Sequence, residues 1–96
     1  MDVVWSRAAR RDFDAIWTGI EGKSPARASK IGRLILAAAA RLETLPRLGR
    51  PGRVEGTREL VIARTPYLIV YAIEVTQVSI VRVLHGAMRW PAGDDV

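Results

Sequence analysis

Apolar residues recur at helical spacing in the first part of the chain. After the short strand-like run DVVW, apolar side chains return every three or four residues, which places them on one face of a helix: Ala9, Phe13, Ile16, Trp17 and Ile20. Ser6 is suited to begin this helix, because its hydroxyl can accept a hydrogen bond from a free backbone N–H of the first turn. Gly22 is suited to end it.

A second helix is predicted over SPARASKIGRLILAAAARLETL. Ser24 is its expected N-cap, and Pro25 takes the first helical position, where a missing N–H costs nothing. One face is apolar: Ile31, Leu34, Ile35, Ala38, Leu42 and Leu45. Pro46 and Gly49 stop the helix. Because only about two residues join the two helices, they are expected to run antiparallel as a hairpin.

The second half of the chain has the pattern of strands. RELVIA from Arg58 alternates, YLIVYAIE from Tyr67 is apolar on both faces and suits a central strand, and QVSIVRVLH from Gln77 comes last. Short turns between them predict an antiparallel meander. The preceding segment, residues 46–57, has the Pro, Gly and Arg content of a loop.

The predicted order is therefore β-α-α-β-β-β within one domain over residues 1–96. A helical hairpin must bury its apolar stripe, and the sheet is the only partner available. The expected fold class is α+β, with the helical hairpin packed on an antiparallel sheet.

Composition narrows the chemistry. No apolar run approaches the ~20 residues that span a bilayer, and the N-terminus lacks the apolar core of a signal peptide, so a cytoplasmic protein without a membrane partner is expected. The chain has no cysteine and one histidine, His85. These counts exclude disulfides, a thiol nucleophile and Cys- or His-rich metal centres. No metal and no cofactor are expected.

Charge suggests the kind of partner. The net charge is +5, and 13 of the 15 basic residues are arginine, whose planar fork suits phosphates and carboxylates. Nucleic acid, the ribosome or an acidic protein are the expected partners. The loop arginines could form one positive surface with the later ones, or simply be solvated: Arg47, Arg50, Arg53, Arg58, Arg64, Arg82 and Arg89.

The stretch VSIVRVLHGAMRW, residues 78–90, carries the most concentrated candidate chemistry. Strand alternation predicts Val81, Val83 and His85 on one face, and Ile80, Arg82 and Leu84 on the other. His85 is either a structural cap of the strand or part of a functional edge. Arg82 needs a carboxylate partner if buried, with Glu59 and Glu74 as candidates, or else it faces a ligand. Trp90 either stacks on a base or seals the sheet edge.

Pairs of catalytic residues are poorly supported. Asp12 and Asp14 lie two positions apart on a helix and so point to different sides. Ser79 and His85 share a predicted strand face but are too far apart along it for a direct hydrogen bond. No catalytic residue is assigned.

Four segments together resemble the RelE/ParE superfamily of toxins from bacterial toxin–antitoxin modules, and the ParE branch most closely. They are VVWSRAARRDFDAIW, LPRLGRPGRVEGTREL, YLIVYAI and VSIVRVLHGAMRW, in the right order over nearly the whole chain. The resemblance implies a helical hairpin on an antiparallel sheet and a cognate antitoxin, acidic and ParD-like, that holds the toxin inactive. RelE-type members cut mRNA on the ribosome, whereas ParE-type members poison DNA gyrase.

Departures from the RelE pattern favour the gyrase interpretation. Leu68 occupies the place where RelE-like nucleases commonly carry an arginine, and the tail PAGDDV has no Tyr or His. An mRNA endoribonuclease and a non-toxic antitoxin-binding module remain the alternatives. The candidate toxic surface consists of Arg58, Arg82, His85, Arg89 and Trp90, and the candidate antitoxin contacts are Trp17, Leu34 and Arg41.

Overall fold

The computed structural model describes residues 1–91, which form two helices and five strands. In chain order these are β1 (Asp2–Trp5), α1 (Arg7–Glu21), α2 (Pro25–Arg41), β2 (Arg50–Pro51), β3 (Arg58–Val61), β4 (Tyr67–Ile73) and β5 (Gln77–His85). The tail that lacks Tyr and His lies, beyond Pro91, outside the described residues.

Both predicted helix starts are confirmed. The Ser6 hydroxyl accepts from the Ala9 amide at 3.0 Å, and the Ser24 hydroxyl accepts from the Arg27 amide at 3.2 Å. The end of α2 was predicted four residues too late. Leu42 is fully buried and Leu45 is half exposed, so the fully buried part of the predicted apolar face ends at the C-cap.

The two helices approach closely where the second carries a glycine. A Cβ atom built on Gly32 would lie 2.2 Å from the Trp17 ring, so only a residue without a side chain fits there. Trp17 in turn packs at 6.1 Å from the Phe13 ring on its own helix. The antiparallel hairpin therefore depends on a large residue on α1 and an absent side chain on α2.

The sheet has the strand order β1-β5-β4-β3-β2. The predicted meander of β3, β4 and β5 is antiparallel, as expected. The prediction of a wholly antiparallel sheet was wrong in one pair, because β1 runs parallel to β5. The helical hairpin leads from β1 at one edge of the sheet to β2 at the other, and the chain returns through β3 and β4 before β5 pairs with β1. A two-residue strand, β2, lies within the predicted loop and extends the far edge.

The helices cover one face of this sheet, as predicted. The core between the layers includes Ile35 from α2, its C-cap Leu42, and Ile69, Tyr71 and Ile80 from the sheet, each fully buried. The α+β fold class is thus confirmed, as a hairpin on a mixed five-stranded sheet.

The described part of the chain shows neither a helix that could cross a membrane nor a cluster of metal-ligating side chains. Within residues 1–91, neither helix is long and apolar enough to cross a membrane. The same residues contain no group of three or more His, Cys, Asp or Glu side chains placed to hold a metal ion.

Candidate functional site

A β-bulge in the last strand decides which side chains share a face. Val70 pairs with Arg82, whereas the next residue, Tyr71, pairs with Ile80, so Val81 is the extra residue. The predicted alternation was therefore wrong for Ile80 and Val81, which exchange faces. Ile80 lies in the core under the helices, and Val81 packs on the opposite side.

The face of the sheet that the helices do not cover, here the open face, is apolar at its centre. Leu68, Val70 and Leu84 form a small buried cluster there, with Val81 and Trp90 packed against it. Val61 pairs with Leu68 at the margin of this cluster and is 56% exposed. Residues directly opposite one another on neighbouring strands share a face. The strand pairing places Arg50, Glu59 and Arg82 in one row across the open face, together with Val70.

Arg82 is paired with a carboxylate, but not with either of the predicted ones. Its Nε and Nη2 donate to the two oxygens of Asp12 at 2.7 and 2.9 Å. The backbone N–H of Val83 also donates to Asp12, at 3.0 Å. The hydrogen bonding of its guanidinium to Asp12 is the main reason why the pKa of Arg82 lies above its ordinary value, while burial opposes the rise. Asp12 thus fixes the guanidinium and covers the strand edge that β1 leaves open.

Trp90 covers the apolar cluster and contacts Arg82. The Arg82 Cζ atom lies 5.7 Å from the centre of the indole ring, a cation–π geometry. The indole N–H is buried and has no hydrogen-bond partner among residues 1–91. The prediction that Trp90 seals the sheet fits this position better than base stacking does, because one ring face already rests on the protein.

Glu59 is the second carboxylate that forms ion pairs with arginines on the open face. It is 2% exposed, and it accepts from the Arg53 side chain, the Arg53 backbone N–H and the Arg50 side chain. Burial raises the pKa of Glu59, but these hydrogen bonds outweigh it and hold the pKa below the ordinary 4.5. Two of the loop arginines are therefore ion-paired rather than freely solvated.

Arg58 and Tyr71 fasten the loop from the helix-covered face. The Tyr71 hydroxyl donates to the Pro46 carbonyl at 2.7 Å and accepts from the Gly49 amide at 2.8 Å. Arg58 pairs with Tyr71 across the strands and donates to the Gly49 and Arg47 carbonyls. A Cβ on Gly49 would lie 2.8 Å from the Glu59 carbonyl oxygen, so the loop passes directly against the sheet.

His85 lies apart from the open face. It pairs with Tyr67, and the two rings make a T-shaped contact with centroids 5.7 Å apart. Its Nδ1 accepts from the Ala87 amide at 3.0 Å, which assigns the ring hydrogen of the neutral form to Nε2. The ring is exposed and shapes the turn that leads to Trp90.

The structure thus unites only part of the predicted toxic surface. Arg82 and Trp90 are in contact on the open face, and Arg89 is exposed beside Trp90 in the chain. His85 lies on the other side of its strand, and Arg58 lies under the loop. A general acid or base facing Arg82 is not present in the described residues, since the nearby carboxylates are ion-paired.

The predicted antitoxin contacts are distributed differently. Trp17 fills the space between the helices, and Leu34 packs partly against the core. Arg41 is exposed in the last turn of α2. Beside the hairpin, a cavity of about 310 Å³ is lined by Trp5, Arg10, Phe13, Asp14 and Leu36.

Sequence reasoning missed Asp12 and Tyr71 as organising residues. Asp12 follows Ala9 by three positions, so it borders the buried stripe of α1 and can reach the sheet edge. A carboxylate at the border of a buried helix face can therefore be predicted from sequence to pair with an arginine of the sheet. Tyr71 carries a hydroxyl into a strand predicted to be buried on both faces, which implies a hydrogen-bond acceptor in a nearby loop.

Comparison with known proteins places these features in a family. Residues 3–90 match the family described as the ParE toxin of the type II toxin–antitoxin system parDE. The chain belongs to the ParE toxin family. Its relative Y4kP of Sinorhizobium fredii, a protein named as a toxin, is 40% identical over 87 residues, which are 91% of this chain and 90% of the relative.

Solved structures agree with the ParE assignment. A chain of a chromosomal ParDE system from P. aeruginosa superposes with a TM-score of 0.83 at 27% identity, covering 88% of this chain and 95% of that one. A chain of the toxin–antitoxin complex RelBE2 from Mycobacterium tuberculosis superposes with a TM-score of 0.60 at 31% identity, with the same coverage. The predicted resemblance to ParE toxins is confirmed.

Proposed function

We propose that this ParE-family toxin inhibits bacterial DNA gyrase by binding through its open face, without breaking a phosphodiester bond. The observation that carries the proposal is the apolar centre of that face. Leu68, at the position where RelE-like nucleases commonly carry an arginine, is buried there beside Val70 and Leu84. Trp90 packs over this buried cluster and Val61 lies exposed at its margin, so the face offers a partner an apolar surface that suits contact with a protein.

Nuclease chemistry would need a different arrangement. Cleavage of a phosphodiester bond requires a proton acceptor or donor together with charges that converge on one phosphate. On the open face the Arg82 guanidinium is occupied by Asp12, and Arg50 and Arg53 are occupied by Glu59. His85 and Arg58, which could supplement them, project from the helix-covered side of the sheet.

The decisive experiment compares the two targets with one preparation of the protein. In one reaction, purified gyrase supercoils plasmid DNA in the presence of increasing toxin, and cleavage complexes are counted. In the other, mRNA on translating ribosomes is mapped for new 5′ ends. We expect loss of supercoiling and accumulation of cleavage complexes, with intact mRNA. Codon-linked cuts that His85→Ala abolishes, with gyrase unaffected, would reject the proposal.

We also propose an acidic antitoxin as the partner that silences this toxin. Support comes from the net charge of +5 and from the family, whose description names an antitoxin system. The apolar cavity lined by Trp5, Phe13 and Leu36, and the exposed Arg41 at the end of the same hairpin, offer such a partner an apolar and basic surface. Purification of the tagged toxin from its own cells should recover an acidic protein. Recovery of the free chain alone would contradict it.

Expression of the chain alone in a bacterium separates a toxin from a harmless antitoxin-binding module. We expect growth arrest that co-expression of the antitoxin relieves. Normal growth, together with a folded product in the cell extract, would favour the binding module.

A further inference from the structure

A basic cavity lies at the far end of the sheet from Trp90 and is separate from the open face. Its volume is about 320 Å³, and it is lined by Arg47, Pro51, Gly56, Thr57, Arg58 and Ile73. Two of these residues are arginines, and none is acidic. The register places Pro51 and Arg58 opposite one another, on the side of the sheet that carries Tyr71.

The guanidinium of Arg58 is held in place by backbone carbonyls, and no carboxylate of residues 1–91 neutralises its charge. Its hydrogen bonds run from Nη1 to the Gly49 and Arg47 carbonyls. Across residues 1–91, no carboxylate lies within ion-pair distance of Arg58 or Arg47, whereas Arg50, Arg53 and Arg82 all have one. The Nη1 contacts fix the orientation of the planar guanidinium. Its other donors, Nε and Nη2, have no acceptor among residues 1–91.

The second arginine completes the donor set. Arg47 is exposed at the rim, and its own carbonyl accepts from Arg58, so the two side chains originate within one small region. Two guanidinium groups beside a concave surface bind an oxyanion through charge-assisted hydrogen bonds. Glu55 is close in the chain but forms no ion pair with either arginine.

The apolar walls of the cavity favour a peptide carboxylate over a phosphate group. Pro51 and Ile73 contribute apolar surface beside the two arginines. A phosphate group alone would leave that surface uncovered, whereas a peptide places a carboxylate on the arginines and an adjacent aliphatic side chain on the walls. We propose that this cavity binds an acidic peptide segment of a protein partner, in which Asp or Glu neighbours a leucine-like residue. Binding to the isolated chain does not depend on gyrase being the target.

The probe is the peptide acetyl-Leu-Asp-Glu-Leu-amide, titrated into the full chain while backbone amide signals are followed by NMR. We expect saturable shifts at Gly56, Thr57 and Ile73. Arg47→Gln should weaken binding by about fivefold, as expected for loss of one partly exposed charged contact. Arg47 is the better variant because Arg58 also supports the loop. Arg33→Gln, an exposed arginine outside the cavity, is the matched control and should bind as the wild type does.

Three results would overturn the proposal. The first is equal binding of the uncharged peptide acetyl-Leu-Asn-Gln-Leu-amide, because a carboxylate would then be unnecessary. The second is equal weakening by Arg33→Gln and Arg47→Gln, which would indicate general charge attraction. The third is tighter binding of inorganic phosphate or a short DNA duplex at the same amides, which would make phosphate the ligand.

Discussion

At the scale of single residues, Arg82 illustrates how one carboxylate can serve two purposes. Asp12 binds both the guanidinium and the Val83 amide, so it neutralises a charge and terminates a strand edge at the same time. The side chains of Arg82 and Asp12 are 31% and 15% exposed, so solvent screens the pair only in part. The contribution of this ion pair to the free energy of unfolding should lie between that of a surface ion pair and that of a buried one.

Asp12→Asn should therefore lower the free energy of unfolding by about 1.5–3 kcal/mol, the range for hydrogen bonds to charged groups. Urea unfolding measures the loss, and Asp14→Asn, exposed on the same helix, should change stability by less than about 0.5 kcal/mol. Arg82→Ala and the double mutant complete a cycle that isolates the interaction. Equal small effects of the two asparagine substitutions would show that Arg82 does not depend on Asp12.

Glu59 should make stability depend on acid. Its pKa is depressed in the folded protein, so its contribution to stability is complete above the ordinary 4.5 and is lost as pH falls through the folded-state pKa. Glu59→Gln should cost about 1–3 kcal/mol at pH 7 and progressively less below pH 4.5. Unfolding curves between pH 7 and pH 3 test this, with Glu55→Gln as the exposed control. A constant difference between wild type and Glu59→Gln across that range would refute it.

Residue partnerships were the least predictable feature of the sequence. Arg82 was correctly expected to need a carboxylate or a ligand, but its partner lies 70 positions away, on a helix. The pairing depends on the angle at which α1 crosses the sheet, and a periodic pattern does not contain that angle. Glu59, suggested for Arg82, is instead engaged by two loop arginines, because the loop folds back over β3.

At the scale of elements, the helical hairpin is defined by its glycine. Gly32→Ala would place a methyl group within 2.2 Å of the Trp17 ring, so we expect a loss of about 1–3 kcal/mol in unfolding free energy. Gly19→Ala on α1 is the matched control, because nothing lies within 4 Å of its added Cβ. Because alanine has a higher helix propensity than glycine, Gly19→Ala should stabilise the protein by about 0.5–1 kcal/mol. Thermal melts measure the stability of both variants. If Gly32→Ala were also stabilised, the Trp17 ring would not lie against Gly32.

Helices and meander strands were predictable because their signals are local: a capping serine, an apolar stripe, a short turn. The parallel β1–β5 pair was not, since it joins the two ends of the chain and no local residue specifies it. The bulge at Val81 was also hidden, because valines and isoleucines suit either face of a strand. A single extra residue moved Ile80 into the core and left Arg82 on the opposite side.

At the scale of the whole molecule, charge and apolar surface are separated. The open face has an apolar centre bordered by ion-paired arginines, whereas Arg47 and Arg58, which pair with no carboxylate of residues 1–91, lie by the loop. Family membership followed from motifs spread over nearly the whole chain. The identity of the target does not follow from the family fold, because function resides in the surface and not in the scaffold.

The proposed use of the open face leads to a test with two valines. Val61 is 56% exposed at the margin of the apolar cluster, and Val75 is 95% exposed in the turn between β4 and β5. If gyrase covers the open face, Val61→Glu buries an unpaired charge in the interface, and about tenfold more toxin should be needed to inhibit supercoiling. Val75→Glu adds the same charge elsewhere and should inhibit as the wild type does. Both variants should unfold within about 1 kcal/mol of the wild type, because both side chains already face solvent. Equal inhibition by the two variants, with folding intact, would move the gyrase-binding surface away from the open face.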